Sequence, residues 1–233
     1  MADAGRSAVP PVPADLIAHQ VRMDRMYRVQ LPFYDATRRW YLLGRNAMLS
    51  SIQPRAGDSV LEIGCGTGRN LLWLAERYPG VRLLGADISP AMLSAAASSA
   101  IERGFGNRVT LATGAAETLD VRHAFGLDHV DHVVFSYSLS MMPDWEAALG
   151  CGFDALRPGG ALHAVDFWDL ADWPAAARVG MRKWLALFGV HCSDTWCHAV
   201  LALARTRSRD VTIKPVAGRY AWRLRATAEL TPS

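Results

Sequence analysis

No apolar run in this 233-residue chain reaches the ~18 residues that a bilayer-crossing helix needs, so a membrane-spanning protein is not expected. The opening stretch MADAGRSAVPPVPADL lacks the charged-then-apolar layout of an export signal, and its Pro and Ala bias predicts a disordered lead-in over residues 1–14. Cysteine is scarce. Cys65, Cys151, Cys192 and Cys197 sit in unrelated contexts, which points to free thiols in a reducing cytoplasm and away from a disulfide framework. There is no Cys-x-x-Cys pair. HCSDTWCH (191–198) departs from zinc spacing, and although His191, Asp194 and His198 share one helix face, a packed helix without a metal is expected. Internal repeats are missing too. Lysine nearly is: two against 23 arginines, in an alanine-rich chain, fits a bacterium of high genomic G+C.

What remains is an ordinary globular composition, half hydrophobic and one fifth charged. The length allows one domain with a full core. Charge is unevenly spread: residues 1–55 carry a net +4, residues 56–177 a net −8 and residues 178–233 a net +7. An acidic middle between basic ends suggests that the ends meet something anionic. Nucleic acid is not the expected partner, because the arginines are interleaved with bulky apolar residues.

From residue 59 the chain alternates short apolar runs with helical spacing. SVLEIG (59–64), VRLLGAD (81–87), RVTLAT (108–113), DHVVFS (131–136) and ALHAVDF (161–167) read as strands. GRNLLWLAERY, SPAMLSAAASSAIERG and DWEAALGCGFDALRPGG read as the helices between them, the second with Ser89 as cap and Pro90 in the first turn. Such alternation predicts a parallel sheet covered on both faces. DVTIKPVAGRYAWRLRATAEL (210–230) reads as a closing hairpin turning at Ala217-Gly218. Outside this pattern lie helical segments at 15–55 and 171–209, both basic and both aromatic.

VLEIGCGTGRN carries the chemistry. Gly64, Gly66 and Gly68 follow the first strand and open a helix, in a turn tighter than the dinucleotide-binding G-x-G-x-x-G. Glu62 sets a carboxylate beside that turn, where it repels a diphosphate and attracts an ammonium group. Asp87 closes the second strand, the place where an acid accepts hydrogen bonds from ribose hydroxyls. A cofactor with a cationic amino-acid end and a ribose is indicated, and NAD is not.

With these residues in place, the chain resembles class I S-adenosylmethionine-dependent methyltransferases over roughly residues 15–230. The resemblance implies a doubly wound, seven-stranded, mostly parallel Rossmann-like α/β sheet. An N-terminal helical lid (15–55) would precede a cofactor-binding core (56–170), a helical insertion (171–209) and the hairpin. It also implies that S-adenosylmethionine lays its methionine end on Gly64–Gly68, its ribose on Asp87 and its adenine near Ile88 and Met92, with Ser136 past the fourth strand. Where many members carry Gly-Asp-Ala, this chain has Gly114-Ala115-Ala116-Glu117, so adenine must rely on backbone around Ala116 or on Glu117.

A narrower resemblance covers MDRMYRVQLPFYDATRRWYLLGR (23–45), FSYSLSMMPDW (135–145) and the segment from VDFWD to RKWLALFGV (165–190), and is carried by YDATRRWYLLGR and SYSLSM. These are similar to the bacterial N-methyltransferases that make betaine lipid by trimethylating diacylglycerylhomoserine. That likeness implies a lipid substrate met at the inner membrane surface by a cytoplasmic, peripherally associated protein, and is compatible with contact with the enzyme that makes the homoserine lipid. Aromatic faces stabilise the ammonium products, and Tyr34, Tyr137 and Trp168 are the rings expected there, the two tyrosines as catalytic residues. A guanidinium fork suits the homoserine carboxylate, with Arg38, Arg39 and Arg45 as equal candidates. Residues 178–190, RVGMRKWLALFGV, mix cations with Trp and Phe as a headgroup-boundary segment does, and equally suit a core helix under the hairpin. Phosphatidylethanolamine is the rival acceptor. Beyond it stand C- or O-methylation of a quinone precursor and a binding module without catalysis.

Overall fold

The computed structural model describes residues 41–187, 190, 192, 196–207 and 209–228. All five apolar runs are strands: β1 (Ser59–Ile63), β2 (Arg82–Asp87), β3 (Val109–Thr113), β4 (Val130–Ser136) and β5 (Leu156–Phe167). β6 (Arg209–Val216) and β7 (Ala221–Ala228) form the hairpin, turning through Ala217-Gly218. The seven strands make one sheet in the order β3-β2-β1-β4-β5-β7-β6. The first five pair in parallel, while β7 runs antiparallel to both β5 and β6. Parallel strands are covered on both faces, which is why β1 is buried at all five positions and reads as a run without alternation.

Alternate side chains of those strands feed two cores. On one face Val60, Leu83, Val134, Val165 and Phe167 pack under α1 (Arg45–Ile52) and α2 (Arg69–Arg77), through Met48, Leu49, Leu71 and Leu74. On the other, Leu61, Ile63, Phe135, Leu162 and Leu224 meet α5 (Trp145–Asp154) and α7 (Trp196–Arg205). α3 (Pro90–Glu102), α4 (Val121–Phe125) and α6 (Ala175–Ala186) complete the α-helices of the described residues. Trp145, Trp196 and Trp222 stack in series, with centroids 4.2 and 5.9 Å apart, and tie α5 and α7 to the hairpin. A buried ring contributes roughly 1.5–3 kcal/mol of transfer free energy, so this ladder is a main fastening of the C-terminal strands.

Two differences from the expected elements stand out. β5 begins at Leu156 and runs through Arg157-Pro158-Gly159-Gly160, a stretch that reads as a helix-ending turn. The register shifts between Val130 and His132 on the neighbouring strand, and such an irregularity is where a sheet tolerates a proline. The short α4, capped by Asp120 on the N–H groups of Arg122 and His123, was not expected. The lead-in, most of the lid, and with them Tyr34, Arg38 and Arg39, lie outside the described residues, as do His191 and Asp194.

Candidate cofactor and active site

The three glycines all take left-handed backbone, with φ of +74°, +54° and +71° at Gly64, Gly66 and Gly68. Gly64 and Cys65 both donate to the carbonyl of Ala86, at 2.8 and 3.0 Å, which straps the turn onto the end of β2. Gly66 donates to Asp87 Oδ2 at 2.8 Å and Ser89 donates to Asp87 Oδ1 at 2.9 Å, so one carboxylate fixes the glycine turn and the start of α3 together. A Cβ on Gly64 would stand 2.6 Å from Cβ of Ser138. Gly68 has another task. A Cβ there would stand 3.0 Å from that of Ala96, so its absence lets the start of α2 pack against Ala96, and Gly68 does not line the cavity.

A cavity opens above this turn at the carboxyl ends of β1, β2 and β4. It is lined by Glu62, Gly64, Gly66, Asp87, Ile88, Ala116, Glu117, Ser136, Tyr137 and Arg45, all expected from the sequence. Gly114 also lines it, so the loop after β3 presents backbone and Glu117 where the usual aspartate is replaced by Ala115. Three expected residues are not brought there. Met92 is fully buried in the first turn of α3, where its N–H donates to Ser89 Oγ at 3.3 Å. Gly68 serves helix packing, as above. Trp168 sits under the guanidinium of Arg219, 4.5 Å from its ring centre, and Arg219 is itself held by Asp169.

Glu62 is buried at the base of the site. Asn70 Nδ2 donates to its Oε1 at 2.6 Å, while Oε2 has no hydrogen-bond partner among the described residues. Burial pushes this carboxyl up to about 8; the Asn70 hydrogen bond and the Arg45 guanidinium pull it back, and Asp87 adds to the rise. A buried acid with one unserved oxygen is the counterpart of a cationic group. Asn70, eight residues on, was missed because its link to Glu62 exists only after the strand, turn and helix fold back on one another. Arg69 was also missed. It opens α2 and lines the cavity, and its Nη1 is buried with no partner among the described residues.

The segment after β4 supplies the opposite wall. Tyr137 has a left-handed φ of 55°, unusual for a residue with a side chain. Its hydroxyl donates to the carbonyl of Leu43, and its ring packs edge-on against Phe167 at 4.6 Å. Burial pushes the Tyr137 hydroxyl well above the usual tyrosine range, so it is a fixed donor and not a base. Ser138 Oγ donates to the carbonyl of Ile63 at 3.1 Å, closing the segment onto β1. Met141 and Met142 face the cavity, and Ser136 Oγ is buried without a partner among the described residues. Beneath, Asp166 accepts from the N–H of Ser140 at 3.0 Å and pins the turn; burial raises that carboxyl to about 6. Upstream, Leu42 and Arg45 complete the wall.

The strand order, the glycine turn at the switch between β1 and β4, and the two acids define a cofactor-binding α/β domain of methyltransferase type. Comparison with known proteins agrees. Residues 60–160 match the family described as methyltransferase domain. The chain is 37% identical over 117 residues to nocamycin O-methyltransferase of Saccharothrix syringae, covering 49% of this chain and 40% of that one. It is 31% identical over 147 residues to demethylmenaquinone methyltransferase of Thermus thermophilus, covering 61% and 64%. Among solved structures, phosphoethanolamine N-methyltransferase 2 of Haemonchus contortus, in complex with S-adenosyl-L-methionine, superposes with a TM-score of 0.64 at 16% identity, covering 79% of this chain and 51% of that one. The chain thus spans 40% and 64% of the length of these two sequence relatives, less than two thirds of either. Residues 60–160 thus match a methyltransferase domain, and the sheet around them has the Rossmann-like methyltransferase fold.

The residues present fit S-adenosylmethionine. The unserved oxygen of Glu62 suits the ammonium group, Asp87 the ribose, the side-chain-free Gly64 and Gly66 a close approach, and Gly114 to Glu117 the adenine. When bound, the cofactor supplies a methyl group activated by a sulfonium.

Proposed function

We propose that the protein methylates the amine of diacylglycerylhomoserine three times, giving betaine lipid. The observation that carries this reading is convergence. The two segments that most resemble the betaine-lipid enzymes end on the same cavity: 33–45 reaches it with Leu42 and Arg45, and 135–145 with Ser136, Tyr137, Ser138, Met141 and Met142.

The chemistry of the lining supports an amine acceptor. Methyl transfer to nitrogen needs a neutral lone pair held in line, and positioning can supply most of the acceleration. An amine with a pKa of about 8 provides that lone pair without a strong base. The described lining offers hydroxyls, methionine side chains and acids suited to the cofactor's own groups. Methionine sulfur and aromatic faces are soft surroundings for a growing quaternary ammonium. Among the arginine candidates, Arg45 reaches the cavity and is the one we assign to a carboxylate there.

A second reading is methylation of a prenylated quinone precursor, favoured by the likeness to a demethylmenaquinone methyltransferase. The two separate on acceptor. Purified protein with methyl-labelled cofactor is offered vesicles of the homoserine lipid, of phosphatidylethanolamine, and of a demethylated quinol. Label in the first alone is expected; label in the quinol alone would replace this reading with the second.

A further inference from the structure

Helix α6 turns an apolar face outward. Of Ala175–Ala186 only Leu185 is buried, with Arg178 and Met181 half-buried beside it on the same helix face. The opposite face carries Val179, Lys183 and Ala186, flanked by Ala175, Ala176 and Leu187, all exposed. Val179 is 51% exposed and Leu187 78%, and nothing among the described residues covers them. Scattered exposed apolar residues are ordinary. A twelve-residue helix that gives the core a single side chain and turns Val179 and Leu187 to solvent on either side of a lysine is not.

Its charge is of one sign. Residues 173–187 contain Arg178, Arg182 and Lys183 and no acid. Arg182 donates to the carbonyl of Asp169 at 2.9 Å and Arg178 to that of Ala171 at 3.4 Å, which holds both guanidinium groups along one flank. Lys183 stands between Val179 and Leu187. The helix also abuts the site: Trp184, 37% exposed, packs edge to face on Tyr41 at 5.0 Å, and the next residue, Leu42, lines the cofactor cavity.

We propose that the outward face of α6 is the surface by which the protein lies on a bilayer bearing anionic phospholipids. Val179 and Leu187 enter the headgroup boundary, Lys183 meets phosphates with Arg182 at the helix flank, and Leu42 and the cavity mouth are brought to the membrane side. Twelve residues with so narrow a strip give reversible, salt-sensitive binding and not an anchor. The proposal rests on the lipid-amine reading for its purpose.

The test uses the full chain and sedimentation with vesicles of phosphatidylglycerol and phosphatidylcholine, against phosphatidylcholine alone. Partition onto the anionic vesicles is expected, weakening in high salt. The double variant Val179→Asn/Leu187→Asn, and separately Lys183→Glu, should each lower it at least tenfold. Cofactor affinity by calorimetry and turnover on a micelle-dispersed acceptor should stay unchanged in both. Wild-type protein left in the supernatant, or equal partition of the variants, would overturn the proposal. So would a dimer in solution that the double variant converts to monomer, since a second copy would then own the face. Partition that depends on α6 in a protein that methylates no lipid amine would keep the surface and sink the reading it serves.

Discussion

Glu62 illustrates how much a single residue carries. Its carboxyl, held near 8 by burial, is mostly protonated at pH 7 in the cofactor-free protein. Pairing with an ammonium group requires the anion, so binding should expel the proton. Calorimetry in buffers of different ionisation enthalpy should find net proton release at pH 7 that disappears as pH rises past 8, where Glu62 is already ionised and the ligand's own amino group must gain a proton. Glu62→Gln should release none there and bind more weakly. Asp87 works by geometry. Asp87→Ala removes the acceptor for Gly66 and Ser89 as well as the ribose contact, and should lower cofactor affinity at least a hundredfold, with methyl transfer lost in step. Tyr137→Phe breaks the bond to Leu43 and frees the wall carrying Leu42, so a several-fold loss of turnover with intact cofactor affinity is expected. The acids and glycines were legible in the sequence because the chemistry they serve fixes their spacing. Asn70, Arg69 and the tether from Tyr137 to Leu43 were not, because each depends on a fold-back between segments that a linear reading keeps apart.

Among the elements, β2 leaves no room for a side chain at one position. Gly85 lies on β2 beneath the glycine turn. A Cβ there would meet Leu71, Cys65 and Leu111 at 2.7 to 2.8 Å. Gly85→Ala should cost about 1–3 kcal/mol by overpacking, measured by urea unfolding, and should weaken cofactor binding by displacing Cys65. Strand positions followed directly from apolar runs bounded by Gly, Asp and Ser, since strands buried on both faces have little other way to be written. The start of β5 did not, because Pro158-Gly159-Gly160 signals a turn locally and only pairing with β4 draws it into the sheet. Met92 shows a similar limit. Its place near the adenine followed from the resemblance, whereas the Ser89 cap turns the first coil of α3 so that Met92 enters the core. Trp168 was drawn to the substrate side by its company, but Arg219 and Asp169, fifty residues apart, hold it within the hairpin junction.

Across the whole molecule, pH enters through buried groups in the sheet as well as at the cofactor site. His163 on β5 is fully buried with neither ring nitrogen hydrogen-bonded among the described residues, and His132 lies 5.7 Å from it. Burial pushes His163 down to about 3, with His132 and Arg225 adding to the shift. Its folded pKa lies below the unfolded value, so its contribution is complete above about pH 6.5. That contribution is lost as pH falls from there toward 3, because only the unfolded chain takes the proton. His163→Leu should remove this acid limb and, by relieving a buried unpartnered ring, raise stability at pH 7 by about 1–3 kcal/mol. Urea titrations at pH 5 and pH 7.5 would show it: wild type loses ground between them relative to the variant. Glu62 acts in the opposite sense. Its raised pKa stabilises the cofactor-free fold below the ordinary carboxylate range, and that stability is lost as pH rises through 8. The cofactor should restore it. A buried site acid thus trades resting stability at neutral and alkaline pH for a binding partner.

Mass spectrometry of the lipid product tests the central claim most directly. Vesicles containing diacylglycerylhomoserine are incubated with the protein and S-adenosylmethionine, and the lipid is weighed over time. Successive gain of one, two and three methyl groups, all absent with Asp87→Ala, is the expected result. An unchanged homoserine lipid, in a preparation that binds the cofactor and methylates a quinol, would contradict it.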